Sequence, residues 1–202
     1  MEQKKLDLFE LHKEEYRATG KPRVVETGPA RYLVIEGIGE PAGEQFSARL
    51  EALFSVAYGI KMAKKKEGRD YKVAKLEGLW WGSRGPGDFS LQPKDEWNWK
   101  LIIRTPEFVS EDDLECMVGT LLEKGKGHDV KRVKLETIDE GLCVQILHIG
   151  PYAEERPSIE KLNRFAQEQG LSFHGLHHEI YLSDFRRVPP ERLKTILRMP
   201  VC

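Results

Sequence analysis

His177, Glu179 and Tyr181 alternate with His178, Ile180 and Leu182 in a run that reads as a β-strand. Alternation puts the first three side chains on one face and the other three on the opposite face. A carboxylate in the middle of a strand is a poor choice for stability, since burying it unpaired costs roughly several kcal/mol. Whatever neutralises Glu179 is therefore a guide to function. Upstream, Tyr152 follows Gly150-Pro151 at the end of another strand pattern, where a phenol could cap the core or reach Glu179. With its pKa raised by burial, Glu179 could take a proton from water while Tyr152 orients that water or donates to a developing oxyanion. The same residues suit a second chemistry, recognition of a flat cation. Trp80, Trp81, Trp97, Trp99, Tyr152 and Tyr181 are candidate walls, each ring face contributing about 0.5–2 kcal/mol, with the carboxylate adding longer-range attraction. Trp97 and Trp99 share a strand face, whereas Trp80 and Trp81 cannot both point inward.

His174, His177 and His178 beside Glu179 raise a metal reading. Helical zinc motifs stack their ligands on one helix face, but this pattern is a strand, on which His177 and His178 diverge. The expectation is no metal and no cofactor. No phosphate-binding glycine loop, dinucleotide fingerprint or nucleophile elbow occurs.

The elements that must position these residues come as a repeat. Ile102-Ile103-Arg104-Thr105-Pro106 recurs as Ile196-Leu197-Arg198-Met199-Pro200, and Leu33–Gly39 has its counterpart in Val144–Gly150. Each opening strand ends in Ile-Gly and runs into a helical pattern. Helices are expected at about 44–64, with Phe46, Leu50, Leu53, Phe54 and Ala57 on one face, and at about 157–169, with Pro157 in the first turn. Ser110 opens a third helix with acids in its first turn. Strands are expected at 31–38, 72–81, 97–104, 130–137, 142–149, 176–183 and 193–199. The order strand, helix, strand, strand occurs twice. It predicts an α+β fold of two duplicated modules with pseudo-two-fold symmetry, antiparallel sheets with helices on one face and a ligand cleft between the halves. The domain reading is an N-terminal arm over 1–21 and a single domain over 22–202. Within it lie repeat one at about 30–106, a connecting helix and strand at 107–140, and repeat two at about 141–202. Gly85-Pro86-Gly87 is a candidate lip over the cleft.

The 202 residues are 40% hydrophobic and 32% charged with net charge −1, which suits one compact domain and leaves no electrostatic footprint for nucleic acid or an anionic membrane. No segment has the apolar length of a membrane span, and the start of the chain lacks a signal-peptide core. Three cysteines without CxxC spacing argue for a reducing cytoplasm and no structural zinc. The charged, loosely amphipathic start, with Leu6, Leu8, Phe9 and Leu11, suits an arm against the body or a second subunit, which leaves homo-oligomers open.

Ile149-Gly150-Pro151-Tyr152, His178–Asp184, Lys194–Arg198, Leu76–Trp81 and Trp97-Asn98-Trp99 together resemble the GyrI-like small-molecule-binding domains, from about Pro22 onward. The resemblance is to stand-alone bacterial members, since no helix-turn-helix pattern precedes the module. It implies an acid on a strand at the floor of a cleft among aromatic rings, a position that Glu179 matches. The implied ligand is an amphipathic or cationic aromatic compound, such as a drug or other xenobiotic. Beside Glu179, the candidate ligand-binding residues are Tyr152, Tyr181, Trp80, Trp81, Trp97, Trp99 and His177. Some stand-alone relatives instead hydrolyse the cyclopropane of cyclopropanoid genotoxins with a glutamate and a tyrosine, for which Glu179 and Tyr152 are the matches. A gyrase-inhibitor-like interaction has least support, because no acidic tail or apolar docking helix is visible.

Overall fold

The structure, a computed structural model, describes residues 5–41, 43–83 and 92–202. The Gly85-Pro86-Gly87 segment lies outside the described residues.

Strands are β1 (Arg23–Glu26), β2 (Ala30–Ile38), β3 (Leu76–Trp81), β4 (Asn98–Arg104), β5 (Lys134–Ile138), β6 (Leu142–Ile149), β7 (His177–Tyr181) and β8 (Lys194–Pro200). Helices are α1 (Leu8–Leu11), α2 (Glu44–Lys66), α3 (Glu111–Glu123) and α4 (Arg156–Glu168). All eight strands join one antiparallel sheet in the order β1-β6-β8-β7-β3-β4-β2-β5. The order is symmetric about the β7/β3 junction: each half places its repeat's last two strands and then its first strand outward, with one extra strand at the edge. The duplication therefore makes a single continuous sheet, and β7, which carries Glu179, is one of its two central strands.

The helices stack on one face. Leu53, Val56, Ala57 and Ile60 of α2 pack on Leu33, Ile35, Leu101 and Ile103, and Leu162 and Ala166 of α4 pack on Val144, Ile146 and Leu197. α3 starts with a capping box in which Ser110 and Asp113 satisfy each other's backbone N–H groups, and it packs beside α2. The opposite face buries Tyr32, Val34, Leu79 and Ile102 in one half and Ile180 and Ile196 in the other, the latter under Tyr16 of the N-terminal arm.

Several elements differ from the sequence reading. β1 was not foreseen; its four residues Arg-Val-Val-Glu are too short for a recognisable period and form a strand only by pairing with β6. β3 begins at Leu76, not at 72. Residues 128–132 form a 3-10 turn ahead of β5, where the expected strand began at 130. Among the described residues no helix is long and apolar enough to cross a membrane.

Candidate functional site

The backbone register assigns the faces. Gly78 lies opposite Glu179 and Trp80 opposite His177 across β3–β7, while Leu197 lies opposite Glu179 across β7–β8. Leu197 belongs to the core beneath α4 and Trp80 to the core beneath α2, so His177, Glu179 and Tyr181 face the helix side where the halves meet. His178 and Ile180 point to the back, as strand alternation requires.

Glu179 is 7% exposed. Its Oε2 accepts from the Tyr181 hydroxyl at 2.8 Å, and its Oε1 lies 3.3 Å from His177 Nε2. The Tyr181 hydroxyl in turn accepts from Trp80 Nε1 at 3.1 Å. Since the indole can only donate, it turns the one phenolic hydrogen toward Glu179. Burial, followed by the Glu179 charge, holds the Tyr181 pKa well above the usual phenol value, so it stays a donor. Space for this chain comes from Gly78: a Cβ there would lie 2.8 Å from Trp80 Nε1 and 3.0 Å from the Tyr181 oxygen.

Tyr152 sits on a 3-10 turn (Tyr152–Glu154) after β6, 38% exposed, with its ring edge-on to Tyr181 at 5.7 Å. Burial and then Glu179 raise its pKa to about 12. It forms a rim to the site rather than its floor.

A residue that sequence reasoning missed completes the group. Glu155, the residue before α4, is 6% exposed, and one of its carboxyl oxygens lies close to Glu179. Burial and then the neighbouring Glu179 charge raise its pKa well above the usual carboxylate range. One ligand atom each from Glu155, His177 and Glu179 falls within 4.8 Å of the others. The sequence set a metal aside because His177 and His178 diverge. They do diverge, but a third group converges from a different element. Such a trio could meet a cation only after Glu155 gave up its proton. The sole sequence signal for Glu155 was a second acid just past Tyr152, in a run where Glu154 is exposed and Glu155 buried.

The tryptophans divide. Trp80 belongs to the site, and Trp97 packs edge-on against it at 6.1 Å while donating to the Gln92 carbonyl. Trp81 is corrected: one residue on from Trp80, it sits on the opposite face of β3. Trp99 is also corrected, for it is fully buried beneath α2, donating to the Gly39 carbonyl with Phe46 against its ring. It is core. A groove of about 490 Å³ between α3 and β5, lined by Leu114, Val118 and Leu135 among charged residues, contains none of these groups. Its acids are on the surface, so the site is placed by the buried carboxyl pair instead.

The model of the GyrI-like small molecule binding domain matches residues 20–201. Three solved structures from Listeria innocua match 98% of this chain and 100% of their own. An uncharacterized conserved protein is 38% identical with a TM-score of 0.91. Two proteins described as hydrolases are 37% and 36% identical, with TM-scores of 0.87 and 0.90. No curated protein matches the chain. With the duplicated fold, the acid at the junction and a match along almost its whole length, the chain belongs to the GyrI-like small-molecule-binding domain family.

Proposed function

We propose that this chain is a hydrolase, which holds a small aromatic electrophile against Glu179 and adds water to it. The observation that carries the reading is a buried carboxylate at the junction of the halves, aimed by the Tyr181 hydroxyl and flanked by His177. A pure binding pocket has no need of that aiming, whereas a base acting on a bound water does. The two Listeria innocua proteins described as hydrolases, alike along their full length, support the same reading.

The substrate class that the family resemblance suggests is a strained cyclopropane conjugated to a carbonyl. Water oxygen attacks a ring methylene carbon and gives its proton to Glu179. The strained C–C bond breaks, and its electron pair passes through the conjugated system to the carbonyl oxygen. Tyr152 donates a hydrogen bond to that oxygen, which ends protonated as a phenol. Water is thereby added across the broken bond. Ring strain keeps the barrier low enough for modest acid–base assistance.

The test is turnover of a spirocyclopropyl cyclohexadienone in ¹⁸O-labelled water. The label is expected on the new alcohol carbon, with turnover lost in Glu179→Gln. No turnover by the wild-type chain across a panel of such compounds defeats the hydrolase reading.

One observation favours a second reading. Glu179 lies among the rings of Trp80, Tyr152 and Tyr181, an arrangement that attracts flat cations. If sequestration is the function, rhodamine 6G binds with perturbed tryptophan emission, Glu179→Gln weakens binding, and the cyclopropane is left intact.

A further inference from the structure

Two carboxyl groups share the floor of this site, and no lysine or arginine among the described residues forms an ion pair with either. Glu155 comes from the turn into α4 and Glu179 from β7. Both are more than nine-tenths buried, and a carboxyl oxygen of each lies within 4.8 Å of the other. Two like charges so close in a dry site do not both ionise, so one of the two carries a proton. Glu155 Oε1 is buried with no hydrogen-bond partner among the described residues.

We infer that Glu155 is a second catalytic residue: it holds the proton of a Glu155–Glu179 pair, and the two carboxyl groups grip the attacking water between them. The inference rests on the hydrolase reading. It adds to it a defined protonation state. The groups facing Glu155 are Glu179, His177 and Tyr181 from β7 and Tyr152 from the turn before α4, and burial and the Glu179 charge favour its protonated form. Glu155 O–H donates to a lone pair of the water while Glu179 accepts one of its hydrogens. When the water attacks, its proton moves to Glu179, leaving both carboxyl groups neutral. The extra proton then passes to the product oxygen, through Tyr152 or solvent, and the pair returns to one proton.

The experiment has a spectroscopic arm and a kinetic arm. Infrared difference spectra of wild type against Glu155→Gln are expected to show a protonated glutamic acid carbonyl at pH 7 that the variant lacks. With the spirocyclopropyl dienone, Glu155→Gln is expected to lower kcat by about 10²–10⁴-fold with substrate affinity nearly unchanged. The fall of wild-type activity at high pH should disappear in the variant. Glu155→Asp keeps the carboxyl and is expected to regain part of the rate. The inference is overturned by the absence of a protonated carboxyl at pH 7, or by a Glu155→Gln variant with the wild-type pH profile. It is overturned equally if activity is lost on chelation and restored by a divalent ion, since the three side chains would then be ligands. A wild-type chain that turns nothing over defeats the hydrolase reading and the catalytic role of Glu155 with it, while the infrared arm still decides whether the pair shares a proton.

Discussion

His178 gives a quantitative pH prediction. On the back of β7 it is almost fully buried, with Nε2 2.9 Å from Glu77 Oε2 and Nδ1 2.9 Å from Glu140 Oε2. Burial alone would lower its pKa, but Glu140 and then Glu77 outweigh it and hold the imidazole at about 9, against an ordinary 6.5. The same contact, with Arg198 beside it, holds Glu140 down to about 2. The two shifts describe one interaction and are counted once. Because the folded-state pKa is raised, the stabilisation is complete below about pH 6.5 and is lost as pH rises toward 9. At about 1.4 kcal/mol per unit, the loss is about 3 kcal/mol. Urea unfolding of wild type and His178→Gln at intervals from pH 6 to 9.5 isolates it, because other titrating groups cancel in the difference. The gap between the two proteins should shrink by about 3 kcal/mol over that window. A constant gap would refute the argument and mean that His178 is buried neutral.

Four further outcomes are expected. Tyr181→Phe removes a hydrogen bond to a charged carboxylate, an interaction of about 1.5–3 kcal/mol, so kcat should drop about 10–100-fold while KM changes little, measured on the spirocyclopropyl dienone. Gly78→Ala pushes a methyl group against Trp80 Nε1 and the Tyr181 oxygen, and should lower activity toward that of Tyr181→Phe with the fold intact by circular dichroism. Glu155→Gln should be more stable than wild type at pH 8 but not at pH 4. A raised carboxyl pKa contributes stability below its unfolded value that is lost as pH rises, and thermal melts at the two pH values check the sign. Trp99→Phe should destabilise by about 1–3 kcal/mol, seen in urea midpoints, without altering ligand affinity, since Trp99 is core.

The duplicated plan was legible because strand alternation, helix period and capping are local signals. The Ile-Ile-Arg-Thr-Pro and Ile-Leu-Arg-Met-Pro strings fall on equivalent strands β4 and β8. The two faces of β7 followed from period two alone. Which tryptophans reach the site was only half legible: alternation allowed one of Trp80 and Trp81 but could not choose, and the choice is made by pairing of β3 with β7. Trp99 shares a strand face with Trp97 and the helix side with Trp80, yet α2 lies over it, a fact of tertiary packing. Glu155 was invisible for the same reason, since nothing local distinguishes it from exposed Glu154. β1 and the ionic network on the back of the sheet likewise depend on partners distant in sequence.

That network gives the N-terminal arm a role that its composition did not suggest. Arg104 and Arg198 occupy matching places in the two repeat strings, and both are buried. Arg104 binds the Glu15 carboxylate at 2.6 Å, and Arg198 donates to the Glu15 backbone carbonyl. Gln145 Nε2 donates to the carbonyls of Glu15 and Arg17, and Tyr16 donates to Glu77, which holds His178. One short stretch of arm is therefore gripped by an arginine from each half. It closes over charges that would be costly to leave on the back of the sheet without partners. Since His178 in this network and Glu179 in the site are consecutive residues of β7, the arm braces the strand from behind while its front carries the carboxyl pair. A buried ionic cluster is weak evidence for net stability, because desolvation offsets much of its attraction. Its better-supported consequence is geometric: it fixes the position of β7 between the halves, and with it the direction in which Glu179 points.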